Sequence, residues 1–186
     1  MPYLRIFLSF LVLGWVLSIP QAFAEVPKPE KPRTPLEIFE NGPLVFGTVL
    51  AIRQPSKIIV YPNGQRKIIG DVDLKPNDLY SPARLSITGD RNSQVNVSLD
   101  PMISLWPTSA THKTTTTPAK VKNFVLFSSK ISQISDVARL NYFGMDTVFI
   151  GATLSLSPES PAGTYTLKLS PVLEYRSTNK TPVTLP

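Results

Sequence analysis

Beyond Gly42 the chain alternates apolar and polar residues in short runs separated by turn residues, the pattern of half-buried strands rather than helices. Leu44 to Ile52 is the first run, with Gly47 marking a bulge or a close backbone approach. Ser56 to Tyr61 and Arg66 to Ile69 flank Pro62-Asn63-Gly64-Gln65. Asn-Gly between two β-branched runs predicts a hairpin with a type I′ turn, which needs positive φ at both Asn63 and Gly64. Ala83, Leu85 and Ile87 alternate with Arg84, Ser86 and Thr88, and after Gly89-Asp90-Arg91-Asn92 the residues Val95, Val97 and Leu99 alternate with Gln94, Asn96 and Ser98. That predicts an antiparallel pair with one wet face. Strands resume at Asn123 to Phe127 and at Thr147 to Leu156, where Val148, Ile150, Ala152, Leu154 and Leu156 share one face. Ala162-Gly163 opens a final strand, Thr164 to Tyr175, in which Pro171 cannot donate a ladder hydrogen bond and so marks a sheet edge or a bulge.

Eight or so short strands, with only weak helical signals around Leu36 to Phe39 and Ile131 to Leu140, predict an all-β fold: an antiparallel β-sandwich of immunoglobulin-like type, one domain over residues 42–176. Ahead of it, Glu25 to Pro35 reads EVPKPEKPRTP, whose alternating prolines and charges favour an extended spacer, so residues 25–41 form a linker. From Thr34 the pattern TPLEIFENG predicts one short helical turn stopped by Asn41-Gly42. Pro107 to Lys120 is Thr-rich, offers nothing to bury and reads as an exposed loop. Residues 177–186 are a C-terminal tail without an assigned role.

The first 24 residues have a different pattern: Arg5, the apolar run Ile6 to Ile19, a break at Pro20, then Ala22-Phe23-Ala24 before Glu25. This is the layout of a secretory signal peptide cleaved between Ala24 and Glu25. A retained anchor is the competing reading, but the run is shorter than the roughly 20 apolar residues a spanning helix needs. No later stretch is long enough to span a bilayer, and no Cys is present for lipid attachment. The expectation is export to the periplasm, the outer surface or the medium, with no membrane span once the signal is removed. Stability must come without disulfides. The formal charge of +6 comes from dispersed basic residues, which fits solubility or weak attraction to an anionic surface and not a nucleic-acid footprint.

Catalytic inventory is sparse. His112 is the single histidine and lies in the Thr-rich loop with no neighbouring carboxylate, so it reads as an exposed loop residue and not as a ligand or base. No G-x-S-x-G elbow is present. Asp71 and Asp73 share a strand face and, with Asn77-Asp78 beyond, suit either a cation or plain solvent; the central Gly and closing Glu of a calcium loop are missing. No cofactor and no metal is expected. Trp106 borders the Thr-rich loop and either stacks on a ligand or caps the core. Asn96-Val97-Ser98 and Asn179-Lys180-Thr181 match the glycosylation pattern.

Four segments in this order, LVFG at Leu44 to Gly47, IIVYPNGQRKIIGDVDL at Ile58 to Leu74, SPARLSITG at Ser81 to Gly89 and IGATLSLSPESPAGTYTLKL at Ile150 to Leu169, resemble a bacterial exported family known as domain of unknown function 4402. The resemblance implies a sandwich similar to fimbrial subunits and brings no established activity. The matched turn residues Gly47, Asn63, Gly64, Gly70, Gly89, Gly151 and Gly163 look like fold determinants. In a bacterial protein the glycosylation patterns carry no function.

The function these readings lead to is non-enzymatic: a pilin-like subunit at the cell envelope that pairs strands across an open sheet edge or makes contacts through its loops. Its partners would be other protein subunits or a cell-surface partner, including copies of itself, and not nucleic acid. Leu36, Ile38 and the residues on to Val45 are the candidate donor segment. The alternative is a monomeric periplasmic or surface binding module whose end loops, with Trp106 and His112, hold a ligand.

Overall fold

The computed structural model describes residues 33–108, 117–129 and 136–176, and these form strands and turns with no helix. The signal segment with its Ala24–Glu25 junction, the spacer up to Pro32, His112 and the C-terminal tail lie outside the described residues.

Thirteen strands follow in order: β1 Glu37–Gly42, β2 Leu44–Ile52, β3 Ser56–Val60, β4 Arg66–Ile69, β5 Val72–Leu74, β6 Ala83–Thr88, β7 Gln94–Ser98, β8 Met102–Leu105, β9 Ala119–Ser128, β10 Val137–Arg139, β11 Met145–Leu156, β12 Gly163–Leu167 and β13 Val172–Tyr175. All pairs are antiparallel. One seven-stranded sheet is centred on β11, which pairs with β9 along one flank and with β6 and then β3 along the other; β1 lies outside β6, β4 outside β3 and β8 outside β9. Two three-stranded sheets, β12-β2-β5 and β10-β7-β13, form the facing layer.

The protein is a single-domain antiparallel β-sandwich, and the alternation explains its core. Val148, Ile150, Ala152, Leu154 and Leu156 of β11 are all buried, as are Ala83, Leu85 and Ile87 of β6. They meet Leu44, Phe46 and Val49 of β2, Val95 and Val97 of β7 and Tyr165 of β12 in one continuous cluster. Period-two alternation places every second residue on one face, so two sheets with such faces bury them against each other.

The turn between β3 and β4 is not type I′. Gly64 N–H donates to Tyr61 O at 3.0 Å, Tyr61 N–H donates to Gln65 O at 2.9 Å, and Gly64 alone in the turn has positive φ, +84°. This is a type I turn closed by a glycine bulge, and Pro62 explains the choice: its fixed φ suits the second turn position of type I and cannot be positive. Asn63 holds the turn with its side-chain oxygen, which accepts Gln65 N–H at 3.0 Å.

Several other expectations are corrected. Residues 37–42 are strand β1 and not a helical turn, so the domain takes in residues that the sequence assigned to the linker 25–41. A helical turn this short is marginal alone, whereas pairing with β6 satisfies the backbone along its length. The helical signal at Ile131 to Leu140 gives strand β10 at its described end. β6 and β7 do not pair with each other. The backbone of their turn bonds elsewhere, Gly89 N–H to Gly144 O and Asn92 N–H to Asn141 O, and the two strands enter opposite layers. The closing strand splits into β12 and β13, which join different sheets, with Pro171 in the break between them. Strand β9 starts at Ala119, which is buried, so the Thr-rich loop is shorter than Pro107 to Lys120. Strand β8 carried no sequence expectation of its own, and β5 only the strand face shared by Asp71 and Asp73.

Candidate functional surfaces

β1 forms one edge of the large sheet. Ile38 sits opposite Ile87 and Phe39 opposite Ser86, so Ile38 faces the core and Phe39 faces solvent. Leu36 and Ile38 are partly buried against the core cluster. A single residue, Pro43, separates β1 in one layer from β2 in the other. The candidate donor segment is therefore paired within its own domain, with Leu36 and Ile38 already packed against the core.

Gly47 lies at a bulge in β2, where Tyr165 and Thr166 of β12 pair with Gly47 and Val45 and leave Phe46 between. Its φ is +118°, and a Cβ there would collide with the Asp78 carboxylate and the Arg66 guanidinium. Only glycine lets this half-buried pair sit against the strand. Arg66 approaches Asp78 at 3.5 Å, donates to Phe46 O at 3.2 Å and lies over the Tyr80 ring; Asp78 accepts Thr48 N–H. Gly70 follows β4 and touches Ser56, and Gly89 packs under Tyr175, Leu36 and Leu140. Gly151 meets the Val60 carbonyl and Pro62, and Gly163 opens β12.

The carboxylates of the sequence reading separate into different partners. Asp71 and Asp73 both face Arg53, at 3.3 and 2.7 Å, in an exposed cluster, while Asp78 is committed as above. The buried carboxylate Asp146 was not singled out by sequence. It accepts Ser128 Oγ–H at 2.5 Å, Ser129 Oγ–H at 2.9 Å, Thr147 N–H at 2.7 Å and Arg139 N–H at 3.2 Å, joining β9, β10 and β11. These bonds saturate its acceptor sites, which is how a carboxylate is held inside a sandwich. Its place opposite Ile87 at an inward position of β11 was the available sequence signal. Tyr165 is fully buried, donates to Pro161 O at 2.5 Å, and burial pushes its phenol up to about 12. A tyrosine bonded to a carbonyl four residues upstream is the corner device of immunoglobulin-like sandwiches.

Besides Phe39 and Tyr80, aromatic groups reach the surface at Trp106, in a cleft and at one turn. Trp106 follows β8 and is 38% exposed. A cleft of about 630 Å³ opens where β3 and β6 part on either side of Gly151, lined by Tyr61, Pro62, Pro82, Phe127 and Phe149, with the Arg84 guanidinium 6.0 Å from the Phe149 ring. At one end of the sandwich the β10–β11 turn presents Tyr142 and Phe143 to solvent. Sequence reasoning passed over both the cleft and this turn. Asn141-Tyr142-Phe143-Gly144 carried a signal for the latter, two aromatics inside turn chemistry.

Residues 36–175 fit the model of a family described as Domain of unknown function (DUF4402), from the residue before β1 to the end of β13. No curated protein and no solved structure matches the chain.

Proposed function

The chain belongs to the DUF4402 family, and from that premise we propose that it is an exported, non-enzymatic structural or interaction subunit, a pilin-like sandwich that works at the cell envelope by pairing strands with copies of itself or other subunits. The observation that carries this reading is β1. An edge strand tied to the domain by one residue, with Leu36 and Ile38 seated beside β6, makes the same contacts whether it comes from its own chain or from a neighbour. Exchange of such a strand keeps every native contact and adds only the cost of association, which is the logic of domain swapping and strand addition. Export rests on the signal-peptide pattern ending at Ala24.

An unheated denaturing gel of the cell envelope beside a boiled sample tests the reading. A ladder that collapses on boiling is expected; one monomer band in both lanes refutes strand exchange. An N-terminal residue other than Glu25 in the envelope protein refutes the assigned cleavage. A second reading, a monomeric module that holds a ligand at its end loops, draws on the partial exposure of Trp106. Tryptophan fluorescence that shifts with added sugars favours it over assembly.

A further inference from the structure

The β10–β11 turn is the most exposed apolar feature among the described residues at that end of the sandwich: Phe143 is 76% exposed, Tyr142 63% and Met145 50%. Single exposed apolar residues are ordinary, but three within four positions on one tip form a patch that needs a partner. Nor is the tip slack. Asn141 Oδ1 accepts the N–H groups of Phe143 at 2.8 Å and Met145 at 3.0 Å; Gly144 N–H donates to Asn141 O, and Gly144 O accepts Gly89 N–H, both at 2.9 Å. The aromatic pair is therefore held out by a turn braced by these bonds, and little backbone entropy remains to be lost on docking.

Four arginines lie at this end of the sandwich, and one of them touches the tip. Arg91 lies 5.2 Å from the Tyr142 ring centre. Arg139 and Arg176 both meet Gln94, the first as its strand partner and the second through a 2.9 Å bond to its carbonyl. Arg33 stacks 5.2 Å over Tyr175, whose hydroxyl accepts Asp90 N–H at 2.7 Å. The acidic groups at this end are Asp90, whose carboxylate accepts Thr34 N–H, Glu37, opposite Thr88, and the buried Asp146 next to Met145, three carboxylates against four arginines. The balance is cationic.

We propose that this aromatic tip docks on an anionic phospholipid surface, with Phe143 and Met145 entering the headgroup boundary, the Tyr142 hydroxyl staying among the headgroups and the guanidiniums of Arg91 and the other arginines at this end meeting lipid phosphates. The ring geometry favours a lipid over a sugar. The Tyr142 and Phe143 planes stand at 78° to each other and so form a wedge and not a flat stacking platform, and the Asn141 side-chain oxygen is already committed to the turn. Amphipathic aromatics with arginine beside them are the side chains that anchor proteins at a bilayer interface, and guanidinium suits phosphate in particular. Docking of this kind needs no strand exchange and stands apart from the assembly reading.

Flotation of the exported chain with two vesicle types provides the test: phosphatidylcholine alone, and phosphatidylcholine mixed with phosphatidylglycerol. Binding to the mixed vesicles only is expected, weakening with added salt. The double variant Tyr142→Ser, Phe143→Ser, which changes only exposed side chains, should abolish it. Arg91→Gln should lower partitioning about fivefold, the effect of one basic residue near an anionic surface. No binding to the mixed vesicles, equal binding to both types, or binding undiminished in the double variant would each overturn the proposal. Circular dichroism of the variants separates loss of docking from loss of fold.

Discussion

β6 has a neighbour on each flank, and the two are unequal. On one side β11 runs from Met145↔Thr88 to Ile150↔Ala83 without a break. On the other, β1 runs from Glu37↔Thr88 to Gly42↔Arg84 and loses register between Glu40 and Gly42. Val148 of β11, opposite Leu85, is fully buried, whereas the β1 residue opposite Leu85 is Glu40, which is exposed. A central strand is paired on both flanks and covered on its inner face, so each of its apolar residues is needed. An edge strand with a charge at an inward position is a common device against unwanted pairing, and it also weakens the strand's hold on its own sheet.

The sharpest break of that comparison is Ile150→Ala, which empties a fully buried position beside β6 and should cost about 2–5 kcal/mol in chemical denaturation. A cost near that of an edge-strand truncation would mean that β11 is not the centre of stability.

Tyr165 tests whether edge position alone makes a strand weak, because β12 is an edge of its own sheet yet holds a fully buried anchor. Its phenol, raised from 10.0 to about 12, keeps its proton in the folded state while the unfolded chain loses it. The associated stability is complete below pH 10 and is lost as pH rises toward about 12, by on the order of 2–3 kcal/mol. In Tyr165→Phe that share of the alkaline loss should vanish; an unchanged alkaline midpoint shift would remove Tyr165 as the anchor.

Gly64→Val asks how much the β3–β4 edge hairpin depends on its turn. Its φ of +84° disfavours a β-branched residue, so a loss of about 1–2 kcal/mol is expected from thermal melts, without collapse of the central sheet. Smallest in stability is Ile38→Ala, at about 1 kcal/mol for a half-buried side chain. The same variant should have the largest effect on the heat-sensitive ladder, because Ile38 is the apolar residue an exchanged strand would seat.

Legibility in the sequence followed a physical division. The β2 range, the β3–β4 hairpin and the inward face of β11 were readable because alternation and turn residues are local properties. The β6–β7 pairing was misread because alternation says which face of a strand is wet and nothing about which strand lies beside it. Pro171 was read as an edge or bulge inside one strand; the chain instead uses it to leave one sheet for another. Leu36 and Ile38 were read as part of a helical turn and as a candidate donor segment, and not as occupants of their own sheet edge. Tyr142 and Phe143 were passed over although they sit inside turn chemistry, since an aromatic in a turn is as often folded inward as held out.

The sequence by itself determined an all-β fold, its core faces and a segment with the layout of an export signal, because composition, period and turn chemistry act over a few residues. Only the tertiary structure decided which strands became neighbours, that β1 closes the edge of β6, and that four arginines spread from Arg33 to Arg176 come to the same end of the sandwich as one exposed aromatic tip. Those arrangements depend on how two layers bury their apolar faces against each other, and that balance is set across the whole chain.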